Sequence, residues 1–232
     1  MNGTVARTLA GIGVALATAL VLLGLAVAAF FNPWFVAFEQ GRSDAAAFSG
    51  YSPDELRAAT DGILGDLYVG SGDFGVAVHG QPVLDERERA HMRDVRGVFA
   101  GFWLTVLVAA AALVLARARS RGAAWFWRSA AAGATALGVA VVALGLLATV
   151  AFDALFEAFH RIFFAGGTYL FDPRTERLVQ LFPDAFWFET SIFLAGLIVI
   201  LAIAVRLFAR RRLGGTGSGL SGPTPLPVER AR

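Results

Sequence analysis

Four long stretches without a charged side chain dominate the chain: Thr8–Phe31, Gly97–Ala116, Ser129–Phe152 and Thr190–Val205. A helix needs about 20 mostly apolar residues to cross the hydrocarbon layer of a bilayer. Three of the stretches meet that outright. The fourth continues through Arg206, Leu207 and Phe208, with Arg206 placed to snorkel. The pattern predicts spans near 8–31, 98–116, 129–151 and 189–208. The first is longer than the apolar core of a usual signal peptide, about 7–15 residues. It therefore reads as an uncleaved anchor, even though Ala26-Val27-Ala28 resembles a cleavage site.

Between the spans the pattern becomes amphipathic. Ser52-Pro53-Asp54-Glu55 has the chemistry of a helix start, with a capping serine, proline at the first position and glutamate at the third. Leu56, Ala59, Ile63 and Leu67 then form one apolar stripe. Tyr68-Val69 and Phe74–His79 read as short strands, and Gly80-Gln81-Pro82 as a turn. Asp85 and Glu88 form a second capping box, which opens a helix running unbroken into the second span. After the third span, Gly166-Gly167 breaks the helix. Thr168–Phe171 and Arg177–Phe182 read as a hairpin around the turn Asp172-Pro173-Arg174-Thr175. The predicted fold is a mainly α membrane protein: four transmembrane helices under a small α+β extracytoplasmic cap built from the 32–96 and 152–188 loops. Residues 1–212 make one integral membrane domain. Residues 213–232, rich in Gly, Ser, Thr and Pro, read as a disordered cytoplasmic tail.

Composition supports that class. Hydrophobic residues make up 56% and charged residues 16% of 232, with a mean hydropathy of +0.62, against about 45–50% and about 25% in an average soluble domain. There is no cysteine, which excludes a thiol nucleophile, a Cys-ligated metal and a disulfide scaffold. All 20 basic residues are arginine, which excludes Schiff-base lysine chemistry. The net charge of +2 conceals a division. The N-terminus, the 117–128 loop and the segment after 206 hold eleven Arg and one acid; the 32–96 and 152–189 segments hold nine Arg and 17 of the 18 acids. That balance, +10 against −8, places both termini in the cytoplasm and the acidic loops outside. Trp125, Phe126 and Trp127 suit an interfacial aromatic belt, and no nucleotide or nucleic-acid motif is visible.

The ionisable candidates gather on the outer side. His91 precedes the second span and His160 follows the third, each roughly two helical turns, about 11–12 Å, from its span. They therefore stand at matching height above the membrane. His79, beside a turn, reads as structural or exposed. Asp94 and Arg87 share a helix face with His91, and a carboxylate beside a histidine can orient it and raise its pKa. Many neighbouring charges also fit a plain surface ladder. Glu157 and the aromatic Phe156, Phe163 and Phe164 surround His160, as an acyl chain or a membrane belt would require.

The strings HMRDVRGVF at 91–99 and FHRIFFAGGTYLFDPRTERLVQLFPDAFW at 159–187, with four spans in this order, resemble the lipoprotein intramolecular transacylase (Lit) family. The resemblance runs from about residue 8 to 208. It implies a substrate lipoprotein whose N-terminal cysteine carries a thioether-linked diacylglycerol. It implies transfer of the sn-2 acyl chain from glycerol oxygen to the cysteine α-amine, giving an N-acylated lyso-form. The two essential histidines of the family fall on His91 and His160.

The residues suit such a reaction. The substrate supplies its own nucleophile, so no Ser or Cys nucleophile is needed. Its α-amine has a reference pKa of about 7.7–8.0, within reach of a histidine base. Holding both groups in one molecule gives a high effective concentration. Arg93, Arg96, Arg161 and Tyr169 are candidates to hold the oxyanion, with Arg96 nearest the membrane, and Asp94 is a candidate orienting group. No cofactor is expected; the expected partners are the diacylated lipoprotein and membrane lipids. Three other readings stay open: transfer or hydrolysis on a different membrane lipid, a non-enzymatic lipid- or lipoprotein-binding protein, and a metal site of His91, His160 and Asp94. A shared proton-transfer role requires the two imidazoles to lie within about 10 Å of one another.

Overall fold

In the computed structural model, residues 3–164 and 167–214 are described. Eight helices and one strand pair follow in the order α1 (Gly3–Phe30), α2 (Pro33–Arg42), α3 (Ala45–Ser49), α4 (Pro53–Tyr68), β1 (Ala77–Val78), β2 (Gln81–Pro82), α5 (Glu86–Ser120), α6 (Ala124–Phe163), α7 (Arg177–Leu181) and α8 (Asp184–Gly214). Four of them, α1, α5, α6 and α8, are long and apolar enough to cross a membrane. Helix α1 packs against α5, α6 and α8, and α6 lies along α8. Small residues bring these helices close. A Cβ at Gly133 would fall 2.0 Å from the Ala15 carbonyl oxygen, and one at Gly24 would fall 2.6 Å from Val106.

The long helices are longer than the hydrocarbon layer is thick, and their surplus carries His91 and His160. At 1.5 Å per residue, the 35 residues of α5 and the 40 of α6 extend about 52 and 60 Å, against about 30 Å of hydrocarbon. The surplus of α5 is its polar start, Glu86 to Arg96; the surplus of α6 follows Ala151, where the backbone leaves helical geometry (φ −143°, ψ 35°). Both capping boxes are present, Ser52 with Glu55 and Asp85 with Glu88. The stripe Leu56, Ala59, Ile63 and Leu67 is buried in the core of the cap, with Phe74, Met92 and Leu181.

Two local expectations are corrected. The hairpin at 77–82 is shorter than the sequence suggests and its turn lies one residue earlier. Val78 pairs with Gln81, and His79 and Gly80 form the loop with positive φ (51° and 74°), the geometry of a tight two-residue hairpin turn. Tyr68 closes α4 instead of opening a strand. The second outer segment is not a hairpin: its turn forms, with the Thr175 and Glu176 N–H groups donating to the Asp172 carbonyl, but Arg177–Leu181 is a helix and Thr168–Phe171 forms no strand. Leu178 and Leu181, three apart, are both buried against α4 and α5 residues of the cap core, a spacing only a helix satisfies. Gly166 and the tail from 215 onward lie outside the described residues.

Candidate functional site

The polar extension of α5 and the far end of α6 converge at their histidines. The ring centroids of His91 and His160 are 6.2 Å apart, with the planes inclined by 26°. Phe164 lies against both, 4.8 Å from His91 and 5.6 Å from His160. Phe171 closes the His91 side at 5.5 Å, and Phe156 and Tyr169 pack on His160 at 4.2 and 5.0 Å. Below this box Phe156 touches Trp187, and Trp187 reaches Phe31. The surroundings of the pair are thus almost wholly aromatic.

That environment sets the protonation state. His91 is 5% exposed and its Nδ1 has no hydrogen-bond partner. Burial, then the neighbouring His160, lowers its pKa to about 4, with Asp94 opposing. Burial also lowers His160, against the effect of its hydrogen bond to Phe156. Both rings are therefore neutral at pH 7. His160 Nδ1 lies 2.8 Å from the Phe156 carbonyl oxygen. A carbonyl only accepts, so this contact assigns the proton to Nδ1 and leaves the lone pair on Nε2.

A clamp of charges holds the 168–181 segment over His91. The Arg87 guanidinium pairs with Glu176, donates to the Leu170 carbonyl at 2.9 Å and lies 4.8 Å over the Phe171 ring. Glu176 also accepts from the Asp172 N–H. The buried Glu88 carboxylate accepts from its capping partner Asp85 N–H at 2.7 Å and from Leu178 N–H at 2.6 Å. One capping residue thus both starts α5 and anchors α7.

The remaining candidates separate. Tyr169 is at the pair, and Arg161 is drawn upward in pKa by Glu157 first and by the Tyr169 hydroxyl as well. Glu157 pairs with Arg161 at 2.5 Å and not with His160. Asp94 is exposed and close enough to act on His91 by its charge, but makes no hydrogen bond to it. Arg93 turns away to Glu86 at 2.6 Å. Arg96, five residues beyond His91 and so roughly 140° around the helix, packs against Gly72, where an added Cβ would fall 1.9 Å from its Nη1. This Nη1 is buried and unpartnered. Neither Arg93 nor Arg96 joins the histidine box. His79 is 79% exposed and bonded to Glu55 at 2.6 Å. Among the described residues no three His, Asp or Glu side chains converge as metal ligands.

Three further features are not legible along the chain. Phe171 is a wall of the box and not a strand residue. The Thr168 hydroxyl, beside Tyr169, is buried without a partner. Glu39 on α2 is fully buried, with no hydrogen-bond donor to either oxygen. Burial, then the charge of Glu189, pushes Glu39 up to about 7; its nearest cation, Arg42, is 3.8 Å away and gives its close contact, 2.5 Å, to Glu189.

Four membrane helices, a cap over one end and a paired-imidazole box under that cap define a membrane-integral protein with its ionisable chemistry at the membrane surface. Residues 10–187 match the family model described as lipoprotein intramolecular transacylase Lit. The chain belongs to that family and is a membrane-integral transacylase. No curated protein matches the sequence. Among solved structures the fold is similar to that of the lipoprotein intramolecular transacylase Lit from Bacillus cereus. The TM-score is 0.80 at 18% identity, covering 90% of this chain and 97% of that one. Two variants of the same protein, with one histidine replaced by arginine or alanine, match at a TM-score of 0.74 and 18% identity, over 90% of this chain and 93% and 94% of theirs.

Proposed function

We propose that this chain transfers the sn-2 acyl group of a diacylglyceryl-cysteine lipoprotein from the glycerol oxygen to the cysteine α-amine. The observation that carries this reading is the 6.2 Å pairing of two neutral histidines in an aromatic box. Family membership supports the reaction class. The box suits a diacyl substrate, since its walls are rings and its polar groups are few.

His160 is the general base in this scheme: its Nδ1–H is held by Phe156 and Nε2 carries the lone pair. It takes a proton as the α-amine attacks the sn-2 ester carbonyl and the C–N bond forms. The Tyr169 hydroxyl, with the positive Arg161 beside it, meets the oxyanion. On collapse the C–O bond to glycerol breaks. The alkoxide takes back a proton through His91, whose position 6.2 Å away puts one tetrahedral centre within reach of both rings. Atoms and protons balance without an external donor. Asp94, exposed, accepts a hydrogen bond from the incoming neutral α-amine and orients it.

The cap faces outward in this reading. Among the described residues the opposite end carries Arg7, Arg117, Arg119, Arg121, Arg128, Arg206 and Arg210–Arg212 and no acid. The test is mass spectrometry of lipoprotein N-termini from cells with and without the protein. N-acyl, S-monoacylglyceryl cysteine is expected only with it; unchanged N-termini overturn the proposal.

A further inference from the structure

We propose that the end of the bundle opposite the cap holds a binding site for the headgroup of an anionic phospholipid, in a cleft between the first turns of α1 and α6. The two helices are pressed together where Gly133 meets Ala15. Toward their starts they part and leave a cleft of about 700 Å³, lined by Thr4, Arg7, Thr8, Ile12, Trp125 and Ser129 among others.

The lining matches a phosphodiester with a chain attached. Arg7 is exposed and makes no ion pair among the described residues. The Ser129 hydroxyl makes no hydrogen bond among them either, and Gly11 leaves space in front of it: an added Cβ there would fall 3.0 Å from Ser129 Oγ. A guanidinium and a hydroxyl are therefore free to donate to one anion. The Thr8 hydroxyl donates to the Thr4 carbonyl at 3.1 Å, so its oxygen can still accept from a polar headgroup such as glycerol. No acid lines the cleft, so a phosphate meets no repulsion there. Trp125 has the amphipathic ring that settles at headgroup level, while Ile12 and Ala15 extend the cleft into an apolar wall that a lipid chain covers and a free phosphate does not use. The site lies at the opposite end from the histidine box and belongs to the leaflet away from the cap.

Native mass spectrometry of the full chain, released from mixed micelles of phosphatidylglycerol and phosphatidylcholine with matched acyl chains, tests this. The wild-type chain is expected to keep one phosphatidylglycerol in preference to phosphatidylcholine. R7Q/S129A should lose that preference by about tenfold, with R7Q alone, a change at an exposed side chain, moving the same way. R119Q, which removes one exposed arginine outside the cleft, should keep it. The inference is overturned if R7Q and R7Q/S129A retain phosphatidylglycerol like the wild type, or lose no more than R119Q. Displacement of the lipid by inorganic phosphate at millimolar concentration also overturns it, since the cleft is then a free-anion site.

Discussion

His160 Nδ1 lies 2.8 Å from the carbonyl oxygen of Phe156, one helical turn earlier on α6. That single contact assigns the tautomer of one member of the histidine pair and makes its other nitrogen the basic one. In the proposed reaction, a hydrogen bond within one helix thereby sets the direction of proton transfer across two.

His160→Ala and His91→Ala should each lower transacylation by about 10²–10⁴-fold, the range for loss of a general acid or base. Both variants should still fold, because the capping boxes, the Arg87–Glu176 pair and the packing of α1 on α5 and α6 remain when the ring contacts around the imidazoles are lost. Conversion of a synthetic diacylated lipopeptide in micelles, followed by mass spectrometry, measures the loss.

Both histidines have pKa values below the ordinary value, His91 at about 4. A base with a lowered pKa keeps its lone pair as pH falls below 6.5 and loses it only on reaching its own folded value. The pH–rate profile should accordingly lack a fall near 6.5 that belongs to the enzyme and should lose activity at lower pH. For stability the sign is similar. Between 4 and 6.5 the unfolded chain binds a proton at position 91 that the folded chain does not, so His91 lowers stability as pH falls through that window. An acid limb centred at 6.5 would show that the rings are not buried in solution.

Tyr169→Phe removes the hydroxyl that faces Arg161 while keeping the ring packing on His160. It should cost about 10²-fold in turnover with unchanged thermal unfolding and little change in KM. An equal loss in the Arg161→Gln variant would show that the charge, and not the hydroxyl, meets the oxyanion.

Arg87→Ala leaves the largely buried Glu176 without its cation and removes the contact that holds Phe171 against His91. It should destabilise the cap by about 1–3 kcal/mol and lower kcat, with partial recovery in Arg87→Lys, which restores charge but not the flat guanidinium stacked on Phe171. Thermal unfolding and lipopeptide turnover, measured together, check both parts.

Glu39 titrates near 7 where it is folded, up from 4.5. It holds its proton in the folded chain over a range where the unfolded chain has released it, so folding loses stability as pH rises from 4.5 to 7. Glu39→Gln should be close to neutral at pH 5 and more stable than wild type at about pH 8, by about 1–3 kcal/mol. Thermal unfolding at the two pH values reads the difference.

Much of this protein is legible along the chain because its solvent is a bilayer. Runs of uncharged residues show where the spans lie, and the capping boxes at Ser52 and Asp85 show where two cap helices begin. The helical reading of Glu86 onward also places His91 and His160 at one height, since rise per residue is constant. The 168–181 segment reads as a hairpin along the chain because its short apolar runs suit strand and helix equally. The choice between them rests on Glu88 accepting from Leu178 N–H, a contact between distant parts of the chain. Arg93 and Arg96 stand near His91 in sequence, yet 3.6-residue periodicity and the packing of the 70–75 loop turn both away from it. The sequence by itself determined the class of protein, the number of spans and the two histidines. Only the tertiary structure decided that the imidazoles meet, that they are uncharged, and which polar groups stand beside them, because burial and the approach of α5 to α6 depend on contacts no local pattern encodes.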